Sequence, residues 1–167
     1  MHRIGLISDT HGLLRPEAIA ALAGTEHIIH AGDIGDPSIL TALREIAPVT
    51  AVFGNCDSTP ERLGVAEAEV GEFGGILVYV LHQLDRIDLN PRVAGFSAVM
   101  SGQTHKPRIV GHEGVLYVNP GSAGPRRFKL PVSVGFLEIT DGKLRAELLE
   151  LACEPDTGAF SRSGLES

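Results

Sequence analysis

The chain has 167 residues, enough for one domain with a substantial core, and its 43% hydrophobic and 21% charged residues argue against disorder as the main state. A net charge of -7, 5% aromatic residues and no Trp argue against the basic or base-stacking surface that a long nucleic acid needs. No apolar stretch approaches the roughly 20 residues that span a bilayer, so no membrane contact is expected. The N-terminus shows no signal-peptide pattern, and Cys56 and Cys153 are too few for a disulfide framework, so a cytoplasmic location is expected. The only basic cluster, Arg126, Arg127 and Lys129, suits a single phosphate group.

Arg3 to Ser8 is a short apolar run that predicts a buried strand. Pro16 opens a helix to about Ala23, because proline suits the first helical turn. His27 to His30 predicts a second strand. A helix follows Asp36-Pro37 and ends near Pro48, and Val49 to Phe53 predicts a third strand. This β-α-β-α-β order argues for parallel strands with right-handed crossovers. Beyond it, Ala66 to Gly71 and Ile76 to Leu81 flank Glu72-Phe73-Gly74-Gly75 as a hairpin. Ser97 to Ser101, Arg108 to Val110 and Val115 to Val118 are short strands. Pro131 to Ile139 and Lys143 to Leu151, joined by Asp141-Gly142, make a terminal hairpin. The expectation is one mixed α/β domain over residues 1–153, a parallel half and a more antiparallel half, with helices outside two facing sheets. Residues 154–167 are polar and small, which predicts a flexible tail. The hairpin edges would let two copies pair, so a homo-oligomer stays open.

Polar residues gather where the strands end. Asp9 and His11 follow the first strand, Asp33 the second and Gly54-Asn55-Cys56-Asp57 the third. His82 follows the fifth, and Gly102-Gln103-Thr104-His105 the sixth. Ligands of open α/β sheets bind outside the carboxyl ends of strands, so parallel strands would bring these groups to one rim. Taken singly, each residue has an ordinary reading: Asp9 and Asn55 as turn residues, Asp33 as a helix cap, His82 and His105 as packed histidines. Their recurrence in order at strand ends favours a metal site. A set of carboxylate, amide and imidazole donors suits Mn, Fe, Zn or Ni better than Ca or Mg. Two such ions, roughly 3.5–4 Å apart, can generate hydroxide and clamp an in-line displacement at phosphorus.

The ordered set Ser8-Asp9-Thr10-His11-Gly12, Gly32-Asp33, Gly54-Asn55-Cys56-Asp57, His82, Gly102-x-Thr104-His105 and Asn119-Pro120-Gly121-Ser122 resembles the calcineurin-like metallophosphoesterases. The resemblance runs from about Arg3 to Leu149 and is closest to their small YfcE-like phosphodiesterase branch. It implies a four-layer α-β-β-α sandwich of two mixed sheets. It implies two divalent metal ions, Mn foremost, with Ni, Fe or Zn as alternatives. Asp9, His11 and His105 would hold the first ion, Asp33 would bridge, and Asn55 and His82 would hold the second. Asp33, Asn55 and His82 would thus sit at the catalytic centre, where a metal-bridging hydroxide attacks a small phosphodiester.

Two departures stand out. Gln103 occupies the place of a family histidine on the second metal, where its amide oxygen is a weaker ligand. Gln83 follows His82 where the small branch usually has glycine. Many larger members carry a general-acid histidine at the place of Cys56; the small branch has cysteine, as here. Ser122 and Arg127 are candidate substrate contacts, against a plain turn and a solvated basic run; Arg15 is a weaker candidate. His2, His27, His30 and His112 lack motif context and are explained by surface or packing roles. The same fold is similar to the retromer scaffold subunit, and Gln103 leans toward that protein-binding alternative. Phosphomonoester or 2′,3′-cyclic nucleotide hydrolysis would use the same ligands.

Overall fold

The structure is a computed structural model and describes residues 1–153; the expected tail at 154–167 lies outside the described residues. The chain runs β1 (His2–Ile7), α1 (Pro16–Leu22), β2 (His27–His30), α2 (Pro37–Arg44), β3 (Val49–Ala51), α3 (Pro60–Leu63) and β4 (Ala68–Phe73). It continues with β5 (Ile76–Leu81), a 3-10 turn at Leu84–Arg86, α4 (Pro91–Ala94), β6 (Ala98–Met100), β7 (Arg108–His112), β8 (Val115–Asn119), β9 (Ser133–Thr140) and β10 (Lys143–Glu150).

Proline and glycine punctuate these elements. Pro16 and Pro37 occupy the first helical turn of α1 and α2, and the Asp36 carboxylate accepts the Ser38 N–H at 2.9 Å as a cap. Helix α2 stops at Arg44, short of the expected Pro48, because a residue before proline is driven out of helical geometry and the last turn tightens onto Leu43. The short helices α3 and α4 were not expected. Each begins at a proline and ends on a left-handed glycine, Gly64 or Gly95, so the chain turns out after one helical turn. Three hairpin turns carry two consecutive positive φ values: Gly74-Gly75, Glu113-Gly114 and Asp141-Gly142. Such a pair matches the twist of the flanking strands.

Two five-stranded sheets result, ordered β10-β9-β1-β2-β3 and β4-β5-β6-β8-β7. The expected division into a parallel half and a more antiparallel half does not hold. Each sheet has a parallel centre, β1-β2-β3 in one and β5-β6-β8 in the other, and antiparallel strands beside it. The second parallel centre arises because residues 82–97 fold into the 3-10 turn and α4, a connection long enough to cross back.

Strand alternation then divides the core. Ile4, Leu6 and Ile29 of the first sheet meet Val78, Val80, Met100 and Val118 of the second in the layer between them. Ile7, Ile28, Val134 and Phe136 point the other way, under Ala18, Leu22, Ile39, Leu40 and Leu43 of α1 and α2. A smaller cluster of Leu81, Val99 and Val115, with Tyr79 and Ile87, covers the outer face of the second sheet. Ile29 has no solvent exposure and lies in the layer between the two sheets, so Ile29→Ala should cost about 2–5 kcal/mol of unfolding free energy. Urea denaturation checks this against Leu149→Ala, whose side chain is exposed and whose cost should stay below about 1 kcal/mol.

Candidate metal centre

The parallel strands of both sheets end on one rim, and their last turns pack against each other. Backbone bonds tie the first two turns: Asp9 N–H to the Gly32 carbonyl at 3.0 Å, His11 N–H to Asp33 at 2.9 Å and Gly12 N–H to Ile34 at 2.8 Å. Gly102 N–H donates to the His82 carbonyl at 3.0 Å, which joins the turns after β5 and β6. Asp9, His11, Asp33, Gln103 and His105 all hold positive φ, between 46° and 74°. Left-handed backbone at a non-glycine residue costs of order 1–3 kcal/mol and persists only where the surroundings enforce it. Side chains therefore converge here because the backbone is bent against its preference. Room for that bend comes from two glycines: a Cβ at Gly54 would strike the Asp33 carboxylate, and one at Gly102 would strike Ser8 Oγ and the Asp9 carboxylate.

Each aspartate has one committed oxygen and one that faces inward. Asp9 Oδ2 accepts from Ser8 Oγ at 2.6 Å and from the Gln103 N–H at 3.2 Å. Its Oδ1 is buried with no hydrogen-bond partner, 3.3 Å from His105 Nε2 and 3.8 Å from both His11 Nε2 and His82 Nε2. Asp33 Oδ1 accepts the Cys56 N–H at 2.8 Å, while Oδ2 stands 3.2 Å from His82 Nε2 and 3.7 Å from His11 Nε2. His82 donates Nδ1–H to the Ala31 carbonyl at 2.7 Å, so its Nε2 lone pair is the one aimed at the carboxylates.

The electrostatics follow from this packing. Burial pushes the Asp33 pKa up, but His82, the Cys56 N–H and His11 outweigh it and hold the carboxyl at about 2. Burial lowers the His82 pKa, yet the Asp33 and Asp9 carboxylates overcome that and raise it. Both shifts report one demand, positive charge between two buried carboxylates. A metal ion meets it directly, and the orphaned Asp9 Oδ1, His11 Nε2 and His82 Nε2 are the atoms that would bind one. Three ligand groups lie within reach of a single ion: Asp9, His11 and His105; Asp9, Asp33 and His82; and His11, Asp33 and Cys56.

Residues 2–142 match the calcineurin-like phosphoesterase superfamily domain. The chain belongs to that superfamily. A probable metallophosphoesterase of Methanothermobacter thermautotrophicus is 38% identical over 87% of this chain and 91% of its own. A structure described as a novel archaeal phosphodiesterase superposes with a TM-score of 0.74 at 22% identity, over 88% of this chain and 99% of that one. Vps29 of Chaetomium thermophilum shares the fold with a TM-score of 0.78 at 16% identity, over 96% of this chain and 92% of that one. The donor set fits the metal centre of a calcineurin-like phosphoesterase, a mixture of carboxylate oxygen and imidazole nitrogen on turns that offer unmet lone pairs.

The remaining expected residues of this phosphoesterase are placed differently. Asn55 is exposed and lines the mouth of a cleft beside His82. Gln103 reaches Asp9 through its backbone N–H, while the residue lines a separate cavity with Lys106 and Arg108. Ser122 is buried, and its hydroxyl donates to the Asp9 carbonyl at 3.0 Å. Arg127 is exposed, near enough for its charge to pull down the Cys56 thiol pKa, which burial and Asp33 on balance raise. Arg15 is buried and donates Nε and a terminal nitrogen to the Gly124 carbonyl at 3.1 Å. His2 pairs with Glu26, His27 with Thr50, and His112 lies near Glu113, all apart from the ligand groups.

Three residues support the site in roles that the sequence did not reveal. Asp57 accepts the N–H groups of Ile34, Gly35 and Gly54, locking the Asp33 turn to the Asn55 turn. Asn119 donates to the Gly102 carbonyl at 2.9 Å and accepts the Gly121 N–H at 2.9 Å, bracing the His105 turn. His30 is fully buried: Nδ1 accepts the Gly32 N–H at 3.1 Å, and Nε2–H donates to Thr10 Oγ1 at 3.0 Å. Thr10 in turn donates to the Ile34 carbonyl at 2.8 Å, so a neutral imidazole spans the two aspartate turns.

Burial lowers the His30 pKa from 6.5 to about 4, against the opposing pull of Asp9 and Asp57. The unfolded chain therefore takes up a proton below pH 6.5 that the folded chain refuses until about pH 4. Stability from this group is full above pH 6.5 and falls by about 3 kcal/mol as pH drops to 4. Urea unfolding across that window should show this slope, and His30→Asn should flatten it.

Proposed function

We propose that the chain hydrolyses small phosphodiesters at a centre of two divalent metal ions. The observation that carries this reading is the convergence of unmet Asp9, His11 and His82 atoms on the rim where both parallel sheet centres end. In this proposal Asp9, His11 and His105 hold one ion, Asp33 is shared, and Asn55 and His82 hold the second. When bound, the two ions activate a water for attack and neutralise charge developing at phosphorus. Mixed nitrogen and oxygen donors favour manganese, iron, nickel or zinc as those ions. The archaeal phosphodiesterase with the same fold supports a diester over a monoester substrate.

The protein groups divide the remaining work. The Ala31 carbonyl fixes the His82 tautomer, keeping Nε2 unprotonated when an ion is present. Ser8 Oγ and the Gln103 N–H hold the Asp9 carboxylate so that Oδ1 alone is presented. Ser122 holds the turn below it, and in this reading the exposed Arg127, whose charge reaches Cys56, would meet a phosphate oxygen. Cys56, whose thiol pKa burial and Asp33 raise, stands where larger members carry a general-acid histidine and is given no general-acid role in this reading. Aryl esters, which leave without a proton, should therefore be the fastest substrates. A small acidic domain of this kind suits a cytoplasmic enzyme of small esters.

Gln103 is the observation that favours the other reading, a phosphoesterase fold retained as a protein-binding scaffold. Manganese-dependent hydrolysis of bis(4-nitrophenyl) phosphate separates the two. Turnover that rises with metal is expected, and Asp33→Asn should reduce kcat/KM by at least about a hundredfold, the upper end of what loss of a mere supporting group produces. Gln103→His should lower the metal concentration needed for half-maximal rate. Absence of turnover at millimolar manganese in both wild type and Gln103→His would move the assignment to the scaffold.

A further inference from the structure

A cleft of about 540 Å³ opens at Asn55 and His82, the side of the centre where the second ion would lie. That volume suits one arm of a small ester. Phe53 and Tyr79 line the cleft, and the Tyr79 ring is braced by Phe96 at 5.2 Å between centroids. Its far rim carries Glu67, Arg86 and Asp88. Arg86 Nε stands 3.7 Å from Glu67 Oε1, and these two charges offset each other. Asp88 has no cationic partner among the described residues and leaves the rim net negative.

Two further facts support that sign. The Tyr79 hydroxyl has its pKa raised by burial and by the charges of Asp88 and Glu67, so both carboxylates act on the cleft wall. Arg86 is the one basic residue in the cleft's lining among the described residues, while Lys106 and Arg108 line the separate cavity beside Gln103.

We propose that the cleft holds one arm of the diester, a ring-bearing arm rich in hydrogen-bond donors and lacking any further phosphate. Phe53 and Tyr79 in the lining offer aromatic surface to a planar group. The rim carboxylates accept from hydroxyl or amino groups and repel a second anion. The inference rests on the phosphodiesterase reading and adds a substrate class to it: diesters with a single negative charge, of nucleoside type, in preference to diesters of phosphorylated nucleosides.

The test compares two 4-nitrophenyl esters of thymidine 5′-phosphate, one with a free 3′-hydroxyl and one with a 3′-phosphate, using the manganese-loaded enzyme. The free 3′-hydroxyl ester should have the higher kcat/KM by about tenfold or more, mainly through KM, and the ratio should shrink at high salt. The double variant Glu67→Gln, Asp88→Asn should narrow the ratio at least about threefold. Equal kcat/KM values, or a ratio unchanged in the variant, would overturn the proposal. Bis(4-nitrophenyl) phosphate is run in parallel, because no turnover there removes the hydrolase reading and not the cleft. In that event saturation-transfer NMR on the metal-free protein decides. Transfer to thymidine exceeding that to thymidine 3′-phosphate supports the cleft, and equal transfer or none refutes it.

Discussion

Two carboxylates, Asp9 and Asp33, are buried beside each other, and no cationic side chain of lysine or arginine comes near enough to pair with them among the described residues. Charges in that position are costly unless something positive lies between them. The three imidazoles around them can supply it only by taking up protons, and the raised His82 pKa and the depressed Asp33 pKa are the trace of that strain. An ion satisfies the same demand and leaves the ring nitrogens as ligands. The surrounding structure holds these side chains in the arrangement that would bind an ion.

The fold supplies this arrangement in two stages. Two parallel sheet centres deliver turns to a common rim, which sets the side chains near each other. Buried polar groups then bend those turns: the His30–Thr10 relay and Asp57 hold the two aspartate turns, and Asn119 holds the turn that carries His105. Backbone strain at five site residues is carried by these bonds and by the apolar layers beneath. Core and site are coupled for that reason, since loosening a layer would let the turns relax toward ordinary backbone geometry.

Much of this was legible in the residues. Asp9, His11, Asp33, His82 and His105 stood at strand ends in order, and the structure gathers all five. Strand positions followed from short apolar runs and from Gly-Gly or Asp-Gly turns. Strand direction after Phe73 was not legible, because the connection from β5 to β6 holds only a 3-10 turn and the single-turn α4, with no longer helical pattern to announce a parallel crossover. His30 was set aside as a packing histidine, and it does pack, but with both nitrogens bonded across the site. Nothing in a tetrapeptide such as His30-Ala31-Gly32-Asp33 reveals which turn its ring will reach. Gln103 looked like a weakened ligand on the strength of its side chain, whereas its contact with Asp9 runs through the main chain, which any residue would supply. Pro60 and Pro91, each four residues before a glycine, are the signal in the sequence for the single-turn helices α3 and α4.

Crystals of the full chain soaked in manganese and measured at the manganese absorption edge test the central claim most directly. The account predicts two anomalous peaks flanking the Asp33 carboxylate, one beside Asp9, His11 and His105 and the other beside Asn55 and His82. A single peak on the Asp9 side would contradict the two-ion centre, and no peak between Asp9 and Asp33 would contradict the account as a whole.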